Sequence, residues 1–288
     1  MFSVVLQKCL YSDIVLFSVY QQRDAALCLG EILHKVSPKV SEVFQGQLND
    51  STICSGCKSI IKEVKPFLIL PLSPKDSTNR NYNVEGGFEE IFKDESLSGD
   101  NMVYCDKCNK KTEATSTCQM VEYPRILILV LERFDMDYST MRYVTSDRCV
   151  EIPESLQREN ETFKLYGMVN HMGGLRGGHY TATILSEEDH TWYEFNDHQV
   201  EQTKEQPFPN NRPYCSRTAY LLFYRGGANS ASILMKPLSI LKKPLSILKK
   251  PLIAVIVVGG FALTVVLIKT QYLSFRRISF STVTGSEV

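Results

Sequence analysis

The sequence carries no excess charge of either sign: Lys plus Arg and Asp plus Glu stand at 32 each in 288 residues. A broad electrostatic grip on nucleic acid is therefore not expected. The chain also lacks the cysteine density of a disulfide scaffold, since nine cysteines are only about 3% of it. Their number is odd, and four of them form two Cys-x-x-Cys pairs. That usage fits a reducing compartment and a metal site better than a secreted, cross-linked fold. No long apolar core follows a basic start: Lys8, Asp13 and Gln21-Gln22-Arg23-Asp24 interrupt the first residues, so no secretory signal is expected. Hydrophobic residues at 43% and charged residues at 22% exclude a wholly disordered or collagen-like chain. The length allows about two domains or one large one.

What is present falls into one globular stretch and an unlike tail. Residues 24–36 read as a helix with Ala25, Leu29, Ile32, Leu33 and Val36 on one face. Residues 67–72 and 125–134 read as buried strands, the second (Arg-Ile-Leu-Ile-Leu-Val-Leu-Glu-Arg-Phe) preceded by Pro124. Further strands are expected over 163–171, 179–185, 192–195 and 219–225, separated by Gly, Asn, Asp and Pro. The fold class is α+β, rich in antiparallel strands toward its C-terminal side. Beyond it, 236–241 and 243–248 both read Lys-Pro-Leu-Ser-Ile-Leu, and Lys250-Pro251-Leu252 begins a third copy. A proline in each copy rules out a continuous helix, leaving a basic linker or a lysine patch for anionic lipid.

Residues 252–268 then run for 17 positions without a charge. As a helix they would span about 25 Å, a little short of a hydrocarbon core of about 30 Å. A buried core helix is the alternative to a membrane span, but Gly259-Gly260 and the β-branched run make a poor soluble helix, and lysines bracket the segment. One membrane-spanning helix isolated from the globular part is the expectation.

Two sets of residues can carry chemistry. Cys54-Ser-Gly-Cys57 and Cys105-Asp-Lys-Cys108 can each turn two thiolates toward one ion. Four thiolates without a histidine suit a closed, structural, tetrahedral zinc that ties two distant hairpins together. Free cysteines in turns or a redox pair are the alternatives. The second set is Gly177-Gly178-His179-Tyr180, followed by Trp192-Tyr193-Glu194-Phe195-Asn196-Asp197. Paired strands could bring Asn196 or Asp197 back to His179 and fix its tautomer, as the third member of a nucleophile–base–orienter triad does. By spacing alone, a strand histidine is as readily structural.

Taken in order, these stretches resemble the papain-like ubiquitin-specific proteases from about residue 10 to 226. Gln21-Gln22-Arg23-Asp24-Ala25-Ala26 resembles the family's Gln-x-Asp-Ala box, and the cysteine pairs resemble its zinc-binding fingers. Leu129-Val130-Leu131-Glu132-Arg133-Phe134 resembles its leucine-rich Arg-Phe strand, and Gly177 to Tyr180 its histidine box. Trp192 to Asp197 and Ala219-Tyr220-Leu221-Leu222-Phe223-Tyr224 resemble its closing strands.

The resemblance implies a cysteine-type deubiquitinase fold of fingers (about 45–120), palm (about 121–226) and partial thumb within residues 1–226. The repeat and the uncharged run beyond it give, on composition, a linker at 227–250, a transmembrane helix at 251–269 and a tail at 270–288. His179 would be the general base, with Asn196 orienting it and Asp197 beside it. Gln22, Asp24, Gly177, Gly178 and Tyr180 would border the channel for ubiquitin's C-terminal tail. Zinc is the implied cofactor, and ubiquitin and ubiquitinated proteins are the implied partners; the uncharged run adds a membrane, and the balanced charge leaves out nucleic acid. The implied location is an intracellular membrane such as the endoplasmic reticulum, with the N-terminal domain in the cytosol. It is the cytosol itself if the C-terminal segment is not part of the natural product.

The family's nucleophile box, of Asn-Thr-Cys-Tyr type, has no counterpart before Gln21, and Cys9 lacks its context. The nucleophile is therefore expected to be missing from this chain, which leaves a truncated deubiquitinase or a ubiquitin-binding pseudoprotease. Apolar surface should then lie exposed where the nucleophile's helix would pack. Cys28, Cys118, Cys149 and Cys215 are expected to be core thiols.

Overall fold

The computed structural model describes residues 24–74, 82–137, 142–174, 177–197, 199–208 and 212–226, together with the backbone of 257–259 and 262–264. Helix α1 (Ala25–Lys35) begins where Asp24 caps it, Oδ1 accepting from the Leu27 amide at 2.9 Å. Its buried stripe of Ala25, Cys28, Leu29, Ile32 and Leu33 follows the helical period. A short helix, α2 (Pro38–Ser41), turns the chain into a four-stranded antiparallel sheet. Its strands are β1 (Gly46–Cys54), β2 (Ile60–Phe67), β8 (Ala114–Glu122) and β5 (Glu95–Leu97), in the order β2-β1-β8-β5. The hairpin of β6 (Val103–Cys105) and β7 (Lys110–Thr112) lies between β5 and β8 in sequence.

An eight-stranded sheet forms the other body. Along it run β17 (Gln199–Gln202), β16 (Trp192–Asn196), β15 (Gly177–Leu185), β14 (Glu161–Gly174), β19 (Ala219–Gly226), β9 (Ile126–Leu131) and β3 (Leu70–Leu72). Strand β13 (Ser155–Arg158) also pairs with β14, and β3 is parallel to β9. Both faces are covered. Ile126 and Ile128 of β9 pack with α1, whereas Leu127, Leu129 and Leu131 join Val84 and Phe88 of α3 (Val84–Glu90) on the opposite face. A strand buried on both sides reads as an unbroken apolar run, which is why 125–134 shows no alternation. Beyond α3 lies a three-stranded sheet of β18 (Tyr214–Ser216), β12 (Val150–Ile152) and β4 (Tyr82–Asn83). Strands β10 (Phe134–Asp137) and β11 (Arg142–Thr145) pair as a separate ribbon.

Two strand expectations need correction. The strand predicted over 67–72 is two strands: the chain leaves one sheet at Phe67 and enters the other at Leu70. A Cβ on Gly46 would lie 2.9 Å from the Glu122 backbone carbonyl and against the Phe67 ring, which favours glycine at that junction. The strand predicted over 125–134 breaks after Leu131, because the Arg133 side chain turns inward to be only 2% exposed. The described residues within 252–268 are not helical: β20 (Val257–Gly259) and β21 (Ala262–Thr264) form a hairpin, with β20 beside β15. Among the described residues no helix is long and apolar enough to cross a membrane.

Candidate functional site

Strands β14, β15 and β16 build the first candidate site. The register Ala182↔Phe195 puts Asn196 on the same face as His179, diagonally across the strand pair. There His179 Nε2 lies 2.7 Å from Asn196 Oδ1. An amide oxygen only accepts, so Nε2 carries the proton and Nδ1 is left with its lone pair. Asp197 is exposed at a left-handed position (φ 52°) in the turn between β16 and β17.

The two preceding glycines differ in their reasons. A Cβ on Gly178 would lie 2.4 Å from His171 Nε2 and 2.5 Å from the Met172 carbonyl, so the neighbouring strand demands glycine. A Cβ on Gly177 would meet nothing within 4 Å. That backbone faces open space, where another chain can approach it.

Behind this wall, side chains of opposite parity on β14 and β15 turn inward. His171 and Tyr180 stack with ring centroids 4.5 Å apart, and Tyr220 and Phe134 close the cluster at 5.5 Å from each other. The Tyr220 hydroxyl donates to Asp24 Oδ2, while Oδ1 of the same carboxylate caps α1. Burial lowers the His171 pKa, although the nearby Asp24 charge opposes the shift. Burial, then the hydrogen bond to Asp24, pushes the Tyr220 hydroxyl well up. Thus Asp24 holds the start of α1 against β19, and Tyr180 is buried beneath the site rather than lining its surface. Gln22 and Cys9 lie outside the described residues.

His171, Tyr220 and the inward Arg133 were not singled out as functional in the sequence. Period-two alternation along 163–171 would have placed His171 on the inner face of its strand. Nothing local would have paired Tyr220 with Asp24 across 196 positions.

The second candidate site is a metal-sized cluster. Cys54, Cys57, Cys105 and Cys108 offer sulfurs that all lie within 4.8 Å of one another. Cys57 and Cys105 are 3.6 Å apart, and Cys54 and Cys108 3.9 Å. The two turns match: Lys58 and Asn109, each directly after its pair's second cysteine, adopt left-handed φ of 58° and 54°. Hydroxyls complete the cradle, with Thr112 Oγ1 3.3 Å from Cys54 Sγ and Ser59 Oγ 3.0 Å from Cys57 Sγ. The Thr112 hydroxyl, helped by the Cys57 and Gly56 amides, lowers Cys54 to about 6. Contact with Cys57, burial and the other thiols push Cys108 up to about 12. Four sulfurs this close cannot all ionise unless a cation sits among them, which is the chemistry of a thiolate metal centre.

Two further features lie outside both sites. An open groove of about 600 Å³ runs along α1, lined by Ala26, Leu27, Gly30, Ile69 and Val130 among others, with Leu27 71% exposed. Cys149 and Cys215 are not core thiols. The antiparallel pairing of β12 with β18 brings their Cα atoms to 5.8 Å, and a disulfide joins them.

Residues 4–224 match the family model for ubiquitin carboxyl-terminal hydrolase. Rat ubiquitin carboxyl-terminal hydrolase 21 is 30% identical over 206 residues, covering 67% of this chain and 34% of that protein. The Usp2 hydrolase of Drosophila melanogaster is 30% identical over 196 residues, covering 64% of this chain and 20% of its own length. The chain therefore spans about a third or less of these relatives. Among solved structures, the SAGA DUB module with Ubp8 bound to monoubiquitin aligns with a TM-score of 0.64 at 25% identity, over 78% of this chain and 53% of that one. The same module bound to ubiquitin aldehyde aligns at 0.63 and 24% identity, over the same shares of the two chains. The matched stretch runs through the thiol cluster, the His179–Asn196 pair and β19, and the chain belongs to the ubiquitin carboxyl-terminal hydrolase family.

Proposed function

We propose that this chain holds ubiquitin between its four-stranded and eight-stranded sheets and carries the base half of a thiol-dependent hydrolase centre. That centre acts on the bond after ubiquitin's C-terminal glycine. The 2.7 Å contact between His179 Nε2 and Asn196 Oδ1 carries this reading. With Nε2 held, His179 presents Nδ1 as the basic nitrogen, and a thiol brought within about 3.5 Å of it would lose its proton there. His179 would then return that proton to the leaving amine as the thioester forms, and activate water to hydrolyse it. Gly177 leaves room for a substrate backbone that ends in glycines. Asp24 and Gln22 would border that backbone, with Tyr180 and His171 supporting its floor. Asp197 would keep the turn that orients Asn196.

The ion for the cysteine cluster is proposed to be structural zinc. Zinc–sulfur bonds of about 2.3 Å place tetrahedral ligands roughly 3.8 Å apart, close to the 3.6 and 3.9 Å separations at Cys57–Cys105 and Cys54–Cys108. Cys54, Cys57, Cys105 and Cys108 would hold it, and it would fasten the β1–β2 turn to the β6–β7 hairpin. The reading of 252–268 as a membrane tether, with 1–250 facing the cytosol, rests on its uncharged run. It would require the β20–β21 hairpin to leave β15. Alkaline carbonate extraction of the expressed protein decides it: release into the soluble fraction removes the tether.

The test of function uses the 288-residue chain. Titration with monoubiquitin should show binding, weakened by Cys57→Ser. A ubiquitin bearing a C-terminal vinyl electrophile should leave the chain unlabelled, because among the described residues His179 pairs with Asn196 and with no cysteine. Absence of binding would remove the proposal, and labelling at any cysteine would remove the missing-nucleophile reading.

A further inference from the structure

We propose that Cys149 and Cys215 form a reversible thiol–disulfide exchange site for low-molecular-weight disulfides of the glutathione type. The site lies on the three-stranded sheet, apart from both the histidine site and the thiol cluster.

More than their bond holds the two cysteines together. Cys149 directly precedes β12 and follows Arg148; Cys215 is the middle residue of β18 and precedes Ser216. The buried Arg133 guanidinium donates through Nη1 to the Arg148 carbonyl at 2.9 Å and through Nη2 to the Ser216 carbonyl at 3.0 Å. It also reaches the Ser146 carbonyl at 3.2 Å and, through Nε, the Ala219 carbonyl at 2.6 Å. Both half-cystines are thus one residue from a carbonyl that the same side chain gathers. The ladder pairs Glu151 with Cys215, and the Tyr82 amide donates to the Cys149 carbonyl at 3.1 Å. Opening the disulfide removes none of these bonds. The two thiols would stay side by side, and closure would not have to repeat the search across 66 positions of chain.

Access supports exchange. Cys215 is exposed and Cys149 half-buried at the sheet surface, so a small disulfide can reach Cys215 first. The other cysteines set the context. Cys54, Cys57, Cys105 and Cys108 stand as free thiols with sulfur pairs as close as 3.6 Å. A chain that keeps such a cluster reduced is built for a reducing compartment, where protein disulfides are exchanged rather than permanent.

The step balances without any other reactant. The Cys215 thiolate attacks one sulfur of glutathione disulfide, forming a protein–glutathione disulfide and releasing one glutathione thiolate. The Cys149 thiolate then attacks Cys215 Sγ, forming the protein disulfide and releasing the second glutathione. The protein dithiol loses two electrons and two protons, and glutathione disulfide is reduced to two glutathione molecules. Excess glutathione reverses both steps.

The experiment equilibrates the full chain with zinc present in glutathione buffers of varied reduced-to-oxidised ratio. Acid quenching, alkylation and mass mapping without reductant then report each cysteine. The crosslinked peptide joining Cys149 to Cys215 should appear and disappear reversibly across the ratios, with Cys54, Cys57, Cys105 and Cys108 still alkylated as thiols. The oxidised form should melt about 5–10 °C above the reduced form, as expected for a loop of this size. The double variant Cys149→Ser, Cys215→Ser should melt near the reduced wild type and lose all dependence on the ratio. Amide exchange of the reduced protein should keep β12 and β18 protected, which reads the Arg133 tie independently of the variant. A crosslink that survives a large excess of glutathione, or that forms only in denaturant, overturns the proposal. So does loss of β12 and β18 protection on reduction.

Discussion

The four-stranded and eight-stranded sheets are both largely antiparallel, yet they are held by different physics. In the larger sheet Leu127, Leu129, Leu131, Leu221 and Leu222 are fully buried, because helix, sheet and ribbon cover its two faces. In the smaller one, β2 is exposed almost throughout, with Ile60, Ile61 and Val64 each more than half exposed. Its charges form only surface pairs such as Lys65 with Asp50 at 3.2 Å, which add little stability. The larger body is buried on both faces; the smaller one buries Met120 in the same core but leaves β2 open and carries the cysteine cluster at its tip.

The comparison is broken most severely in the larger sheet. Leu129→Ala should destabilise the protein by about 4 kcal/mol through lost burial and a cavity. Guanidinium unfolding followed by the emission of Trp192, the single tryptophan and a buried one, would show it. Val64→Ala in the exposed β2 should change the same transition by less than about 0.5 kcal/mol. Arg133→Met should cost about 3 kcal/mol, because four backbone carbonyls lose their donor at once.

The third effect is confined to the smaller sheet and the β6–β7 hairpin beside its cysteine turn. Cys57→Ser, or removal of metal by a chelator, should speed amide exchange over β1, β6 and β7 while the Trp192 transition hardly moves. Equal loosening of both sheets would show that they are one cooperative unit. Tyr220→Phe comes next, at about 1–2 kcal/mol for the lost donation to Asp24. Exchange should quicken first at the N-terminal turn of α1.

The smallest effect is a pH dependence. Burial depresses the His171 pKa in the folded state below its ordinary value of about 6.5. The unfolded chain then binds more protons between those two values. The stability from neutral His171 is complete above about 6.5 and is lost as pH falls through the lower folded value. His171→Gln should flatten that part of the stability curve relative to wild type; an unchanged slope would place its origin elsewhere.

The α1 helix and most long strands were legible because their periodicity records local geometry. The stripe of Ala25, Leu29, Ile32 and Leu33 announced the helix, and the apolar run at 125–134 announced a buried strand. The cysteine pairs were legible for a similar reason, since each makes its own turn. Residues whose partners lie far away in sequence were not. Arg133 reads only as part of the 125–134 strand until β18, β19 and the segment before β12 close around it, and Cys149 and Cys215 read as ordinary core thiols until β12 and β18 pair. The uncharged run at 252–268 carried a helical expectation from composition alone, and its six described residues pair as strands instead.

The sequence by itself determined the mixed class, the two cysteine turns, the glycine-histidine strand and the family they mark. Each of these is a short-range pattern of residue types. Tertiary structure decided which atoms meet: Nε2 of His179 with Asn196, Tyr220 with Asp24, and Arg133 with four carbonyls from three segments. Strand register and sheet order set those meetings, and both depend on how the whole chain buries its two faces.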